Sequence, residues 1–269
     1  MMASSLKIRP LFFFAHIILS ASYSTKGIAS AWLENPESLK LIASHGTADN
    51  IFRLLENPAE LGEARQQFNS LFLEYGLTDD IAITMKHLDK TTESGLTVFS
   101  NSNSQIGIKF DVSFLNPGLI PLGFTGPVNR DKVASISLHK TATSFKEKNS
   151  DNRFRENANS FYLELADKFI YTDFNVIQSV GFGQDFFSGT KWSRQHGFLT
   201  IELDKFYFGV RSDFFDDSSS GYREINRNCY VSTTIFEHIG VTLLKGKTSW
   251  KGLKAEADTL EVQFQYRFE

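Results

Sequence analysis

The stretch whose reading decides the fold is the last one, Leu260-Glu261-Val262-Gln263-Phe264-Gln265-Tyr266-Arg267-Phe268-Glu269. Apolar and polar residues alternate in it without a miss. Leu260, Val262, Phe264, Tyr266 and Phe268 take one parity; Glu261, Gln263, Gln265, Arg267 and Glu269 take the other. Period two sends the two sets to opposite faces of a strand. The length suits a transmembrane β-strand, which needs about 9–11 residues. An edge strand of a soluble β-sandwich would show the same alternation, so the rest of the chain has to agree before a barrel is inferred.

Working outward, the same rhythm recurs at intervals toward the N-terminus. Ile106, Ile108, Phe110, Val112 and Phe114 alternate with Gly107, Lys109, Asp111 and Ser113. The patterning predicts twelve strands, at about 38–45, 66–75, 80–88, 105–115, 132–144, 158–167, 169–180, 193–203, 205–212, 227–236, 239–245 and 258–269. Turn residues cluster between them. Connections 46–65, 89–104, 145–157, 181–192, 213–226 and 246–257 read as long and polar, with a short helical pattern in the first. Connections 76–79, 167–168, 204–205 and 237–238 read as tight turns. Long and short connections in alternation suit a membrane barrel with short turns on one side and longer loops on the other. The exception is 116–131, which carries Pro117, Pro121 and Pro127 and reads as an insertion on the short-turn side.

Composition agrees. The chain of 269 residues holds 26 Phe and is 14% aromatic, a bias that favours strands. Two aromatic belts are expected, one at Tyr75, Phe114, Phe169, Tyr171, Phe206, Phe208, Phe236 and Phe268, the other at Phe145, Trp192, Phe214, Phe215 and Trp250. The mean hydropathy of −0.21 excludes a helical membrane protein but not a barrel, whose strands are only half apolar. A net charge of −3 gives no basic excess for a nucleic-acid partner. The single cysteine, Cys229, excludes an internal disulfide and any multi-cysteine metal site.

The N-terminus reads as an export signal: Lys7 and Arg9, an apolar run Leu11–Leu19 broken by His16, and the small-x-small triplet Ala29-Ser30-Ala31. Residues 1–31 are therefore expected to be removed after Ala31, leaving 32–269 as one domain. The apolar run is too short for the ~20 residues of a spanning helix. An exported chain that stays in a membrane must cross it as a closed barrel.

The stretch Phe72-Leu73-Glu74-Tyr75-Gly76-Leu77-Thr78-Asp79-Asp80-Ile81-Ala82-Ile83 resembles the EYGLTD strand-turn-strand of proteobacterial outer-membrane barrels. It is similar to the outer-membrane transporter family named after the MetA pathway of phenol degradation, and Ala31-Trp32 is similar to the mature start of alphaproteobacterial members. The closing strand resembles the last strand of Gram-negative outer-membrane barrels, which usually ends in Phe; here Glu269 follows Phe268. The resemblance implies a bacterial outer-membrane location, with membrane lipid and the barrel-assembly machinery as partners and small solutes as cargo.

In such a fold the polar parity faces the lumen. The candidate lining residues are Glu74, Lys86, Lys109, Asp111, Glu164, Asp173, Glu202, Arg211, Glu261 and Arg267. A ring of one sign would argue ion selectivity; mixed signs suit either a narrow polar channel or an interior closed by ion pairs. Catalysis has one weak candidate. Outer-membrane phospholipases of twelve strands carry His and Ser two residues apart, and this chain has His139-x-Thr141 with Ser144 and Asn152 beyond. The other mature histidines, His45, His87, His196 and His238, show no ligand spacing. Asp213, Asp216 and Asp217 lack a calcium-loop spacing. No catalytic residue, metal or cofactor is expected. The expected function is a porin-like channel for small solutes, with a closed structural or surface-interaction barrel as the alternative.

Overall fold

The computed structural model describes residues 32–49, 64–94, 97–119, 126–147, 153–187, 191–217, 222–236, 238–250 and 255–268. The predicted export segment 1–31 lies outside them. Twelve strands appear in chain order: β1 Leu39–Asp49, β2 Ala64–Thr78, β3 Ile81–Ser94, β4 Thr97–Asp111, β5 Asn129–Glu147, β6 Arg153–Ile170, β7 Asn175–Phe186, β8 Lys191–Leu203, β9 Phe206–Asp217, β10 Tyr222–Phe236, β11 Ile239–Trp250 and β12 Ala255–Phe268. Each pairs antiparallel with its sequence neighbours, and β1 pairs with β12 to close the barrel. The seam runs from Leu39 opposite Phe268 through Ala43 opposite Phe264 to Asp49 opposite Asp258. Closure leaves no sheet edge, so every ladder amide has a partner without water. The chain is thus an all-β, twelve-stranded, antiparallel up-and-down barrel.

Parity sorts the side chains as the closing strand implies. Leu260, Phe264, Tyr266 and Phe268 are exposed on the outer wall, whereas Glu261 and Gln263 are buried inside. From Leu260 to Phe268 the strand rises roughly 27 Å at about 3.4 Å per residue. A tilt of about 40° leaves an apolar band roughly 20 Å tall, close to the ~25 Å of outer-membrane barrels. Above the band the outer wall turns polar on every strand traced: Ala43 gives way to His45, Leu71 to Asn69, Met85 to His87, Ile106 to Ser104 and Leu260 to Asp258.

The expected long outer connections are corrected. β3 continues to Ser94 and β4 starts at Thr97, so most of 89–104 is strand. Likewise β5 reaches Glu147, β7 reaches Phe186, β9 reaches Asp217 and β11 reaches Trp250. These extensions carry polar groups on both faces along β3 and β4, and on β5, β7 and β9 they add aromatics to either face, Phe145 and Phe215 inward and Phe182 and Phe186 outward. Their sequences therefore lose the hydrophobic alternation while the ladder continues, stitched by bonds such as Asn103 Nδ2 to Thr143 Oγ1 at 2.9 Å. The expected turn at Asp167-Lys168 is also displaced: β6 runs on to Ile170 and the chain reverses at 171–174, where the Tyr171 and Phe174 rings stack at 4.7 Å.

The segment after β4 forms one 3-10 turn, Ser113–Leu115, and its described part then lies against the outer face of β5 and β6. Asp167 faces outward by parity, opposite Lys132 and Gln178, yet is fully buried. The segment covers it. Asn116 Nδ2 donates to Val133 O at 2.8 Å, Ala166 O at 3.1 Å and Asp167 Oδ1 at 3.0 Å. Arg130 bonds the other Asp167 oxygen and stacks over Phe169 at 4.8 Å. An uncovered outward carboxylate would face the apolar band, so this latch neutralises a charge that the strand alone leaves bare.

Candidate functional site

The lumen is the site, and it is built in three layers. The lowest is made by the chain itself before β1. Residues 33–38 turn into the mouth at the end where the described chain begins and ends. Pro36 forms a parallel bridge with Gly76, and the Glu37 amide donates to Gly76 O at 2.9 Å. A Cβ on Gly76 would stand 2.0 Å from Asn35 O, so only glycine admits the segment there. Glu34 is thereby buried inside the mouth. Its carboxylate lies 3.2 Å from Lys40 Nζ and 2.9 Å from Arg267 Nε, and its amide donates to Glu74 Oε1 at 3.3 Å. Lys109 Nζ sits 3.2 Å from Glu74 and donates to Trp32 O at 2.8 Å. Burial pushes the Glu34 carboxyl up, but Lys40 and Arg267 outweigh it and hold the group below its ordinary value of 4.5.

The middle layer is polar. A cavity of about 60 Å³ is lined by Glu74, Lys86, Gln105, Lys109, His139 and Glu164 among others. At roughly 10–15 Å³ per water centre it holds only a handful of waters. His196 Nε2 is 3.0 Å from Glu164, Arg211 Nε is 2.8 Å from Asp213, and Gln263 Nε2 donates to Glu261 at 2.9 Å. Large rings fit because small residues face them: a Cβ on Gly181 would meet the His196 ring at 2.0 Å. A second cavity of about 20 Å³ lies beside Lys90, Glu224 and Asn226.

The top layer is aromatic. Trp192 packs on Phe187 at 4.1 Å and on Phe215 at 5.1 Å, and Phe145 is buried on the same inner parity. Beneath them Arg194 pairs with Asp185, which also accepts from Tyr162 Oη at 2.6 Å. Sequence reading had placed Phe145, Trp192 and Phe215 in an outer girdle. They instead pack inside the lumen above the apolar band. The lower belt stands on the outer wall at Tyr75, Phe206, Phe208, Phe236 and Phe268, with Phe169 beneath the latch.

Of the ten candidate lining residues, Glu74, Lys86, Lys109, Glu164, Arg211 and Glu261 converge on the interior. Arg267 and Glu202 stand at the lower rim, the latter 2.7 Å from Lys168 Nζ. Asp111 also sits at that rim, accepting from the Ser113 amide at 2.6 Å and so holding the turn after β4. Asp173 is not a lining residue: it lies exposed in the 171–174 reversal, because β6 is three residues longer than its pattern implied. Sequence reading missed Glu34, Lys40, Lys90, Asp185, Arg194 and Glu224. Lys40 was legible from its parity between Leu39 and Leu41; Lys90, Asp185 and Glu224 fell in stretches read as loops.

The phospholipase-like candidate does not assemble. His139 and Thr141 are on the inner parity, His139 bound to Thr84 at 3.0 Å and edge-on to Tyr162 at 5.4 Å, away from any lipid. Asn152 lies outside the described residues. The three aspartates go separate ways: Asp213 to Arg211, Asp216 to Arg223 at 2.8 Å, and Asp217 into the interior. Cys229 is free and exposed.

No family model matches this sequence, and no curated protein resembles it in sequence. The fold does have known likenesses. The NanC porin superposes with a TM-score of 0.50 at 10% identity, covering 84% of this chain and 98% of that one. The transport unit of the autotransporter AIDA-I from Escherichia coli gives 0.50 at 7%, covering 95% and 97%. The β domain of the Bordetella autotransporter BrkA gives 0.50 at 8%, covering 86% and 100%. All three are outer-membrane barrels, and identities this low speak for the fold alone.

Proposed function

We propose that the chain is an outer-membrane channel for small polar solutes, closed in the conformation described and gated at both ends of its lumen. The carrying observation is the polar, charged middle layer held between two separate closures. Replacing buried ion pairs with apolar packing of similar volume is often neutral or stabilising, so filling alone does not call for charges along the bore. Paired charges keep a polar path that reopens when both closures move. Signs are mixed and self-neutralising, which fits weak charge selectivity. A porin of the same fold supports the reading, as does the EYGLTD hairpin, whose Gly76 admits the N-terminal segment and whose Glu74 holds its neighbour Lys109. In this reading the chain is exported by residues 1–31 and inserted by the assembly machinery, and its apolar band contacts lipid.

One observation favours a second reading, a closed structural or surface-interaction barrel: the two interior cavities together hold little more than a few waters. Single-channel recording in planar bilayers separates the two. Discrete openings, more frequent when both closures are weakened, support the channel. Silence from wild type and from the doubly weakened variant leaves the closed barrel.

A further inference from the structure

We propose that the outer wall of β8–β11 binds a lipid with a phosphorylated headgroup, its phosphate on Arg227, Lys245 and Lys247 and an acyl chain in the groove beneath. Arg227 is the cross-strand partner of Lys247, and Lys245 lies two positions along the same face. Directly opposed strand residues stand about 5 Å apart, so three cations share one patch. They sit where the apolar band of Val231 and Leu243 ends.

Two carboxylates border them, Asp258 and Glu256, and leave the patch a net positive charge. Among the described residues Arg227 and Lys245 have no ion-pair partner, and Lys247 has only Asp258 at 3.9 Å, both side chains more than half exposed. Two other outer-wall cations are matched closely, Arg65 with Asp49 at 2.9 Å and Arg223 with Asp216 at 2.8 Å, whereas this patch sets three cations side by side. Like charges facing one another across strands repel, and a bound phosphate removes that cost through charge-assisted bonds suited to Arg and Lys.

A groove of about 1090 Å³ runs from this patch across the outer wall, over Val180, Gly197, Leu199 and Val210, to Gly118 and Leu119 of the latch. Gly197 opens it. A Cβ there would meet nothing closer than Ser179 O at 3.5 Å, whereas a Cβ on inner Gly107, Gly181, Gly183 or Gly209 would run into a ring within 2.4 Å. A cationic head above an apolar trough is complementary to an amphiphile standing upright in a leaflet. The inference uses the membrane location of the proposed function and is independent of conduction.

The test is native mass spectrometry of the full purified barrel in detergent, titrated with bisphosphorylated lipid A, its dephosphorylated form and phosphatidylcholine. Wild type is expected to retain bisphosphorylated lipid A at least tenfold better than the other two, and inorganic phosphate alone is not expected to displace it. Arg227→Ala/Lys245→Ala/Lys247→Ala should lose that preference. Gly197→Phe, or Leu199→Trp if the first does not fold, should weaken retention with the cations intact. Lys140→Ala, on the opposite wall, should not. Heat-modifiable migration checks that each variant is a closed barrel. Equal retention by the triple variant, or of the dephosphorylated lipid, overturns the proposal. Recovery of the chain outside the outer membrane on fractionation would sink the location reading and leave these results standing.

Discussion

The Glu34 carboxylate accepts from Arg267 at 3.2 Å across 233 positions of sequence, tying the segment ahead of the first strand to the foot of the last. The same carboxylate meets Lys40 on the seam partner of β12. Barrel closure and mouth closure therefore share their residues: only when β1 pairs with β12 do Lys40 and Arg267 come within reach of one acid. Glu34→Gln should undock residues 33–38. It leaves Lys40 buried without a counter-charge, and breaking a buried pair costs on the order of 3–5 kcal/mol. Hydrogen exchange at the Glu37 amide should accelerate while the barrel ladders stay protected. Unchanged protection at Glu37 would mean that the backbone bonds to Gly76 hold the segment unaided.

The strands were legible where a membrane imposes contrast between faces. Ile106 to Phe110 and Leu260 to Phe268 alternate because one side meets lipid and the other a polar lumen. That contrast vanishes above the band, where Asn101 and Asn103 point in and Ser100 and Ser102 point out; periodicity has nothing to register there although the ladder persists. Lys90 and Glu224 were lost with it. Glu34 carries no local pattern at all, since its role exists only after closure. Asp167 was misread for a related reason. A charged pair in mid-strand looks like a turn until the latch that buries it is seen.

Acid should release the mouth segment. The folded value of Glu34 lies below its ordinary 4.5, so ionised Glu34 favours the docked state. That contribution is fully present above the ordinary value and is lost as pH falls through the depressed one. A fluorophore at Asn35→Cys in a Cys229→Ser background should report docking unchanged from neutral pH to about 5, then undocking in a single step below it. The step should be absent in Glu34→Gln. A step near neutral pH would implicate a histidine instead.

The two walls should respond differently to the same new charge. Phe264 faces outward at 55% exposure, whereas Gln263 is 3% exposed and donates to Glu261. Phe264→Arg puts a guanidinium in the apolar band and should cost about 2–4 kcal/mol near the midplane. Gln263→Arg puts it beside a carboxylate in a filled interior. Overpacking of about 1–3 kcal/mol is then offset by the new pair, so the net loss should be smaller. Denaturant titration of the barrel folded into vesicles measures both; equal losses would mean that the faces are misassigned.

The latch should show coupling between its charges. Asp167 is completely buried and Arg130 is its cation. Arg130→Ala strands a carboxylate on the outer wall and should cost about 3–5 kcal/mol, exposing 116–119 to protease. Adding Asp167→Ala should recover most of that loss, since the stranded charge is gone. A double-mutant cycle on unfolding free energies gives the answer. Additive losses would show that Asn116 and the backbone carry the latch alone.

In the proposed channel, two closures in series make conduction a double event. Opening the mouth alone leaves the Trp192, Phe187 and Phe215 cluster across the other end; opening the cluster alone leaves Glu34 and its cations in place. Current through resistances in series follows the larger, so neither Glu34→Gln nor Phe187→Ala should raise conductance much. Their combination should raise it well above the sum of the single effects. Phe187 is the better probe at the top, because it lies just beyond β7 and its loss spares the wall. Trp192→Ala would also lift the cap, but truncating a buried Trp costs about 3–5 kcal/mol and mixes gating with stability. Bilayer recordings of the two single variants and the double variant decide it. If Phe187→Ala alone opens the pore fully, the mouth segment is no gate, and its ion pairs serve the seam between β1 and β12.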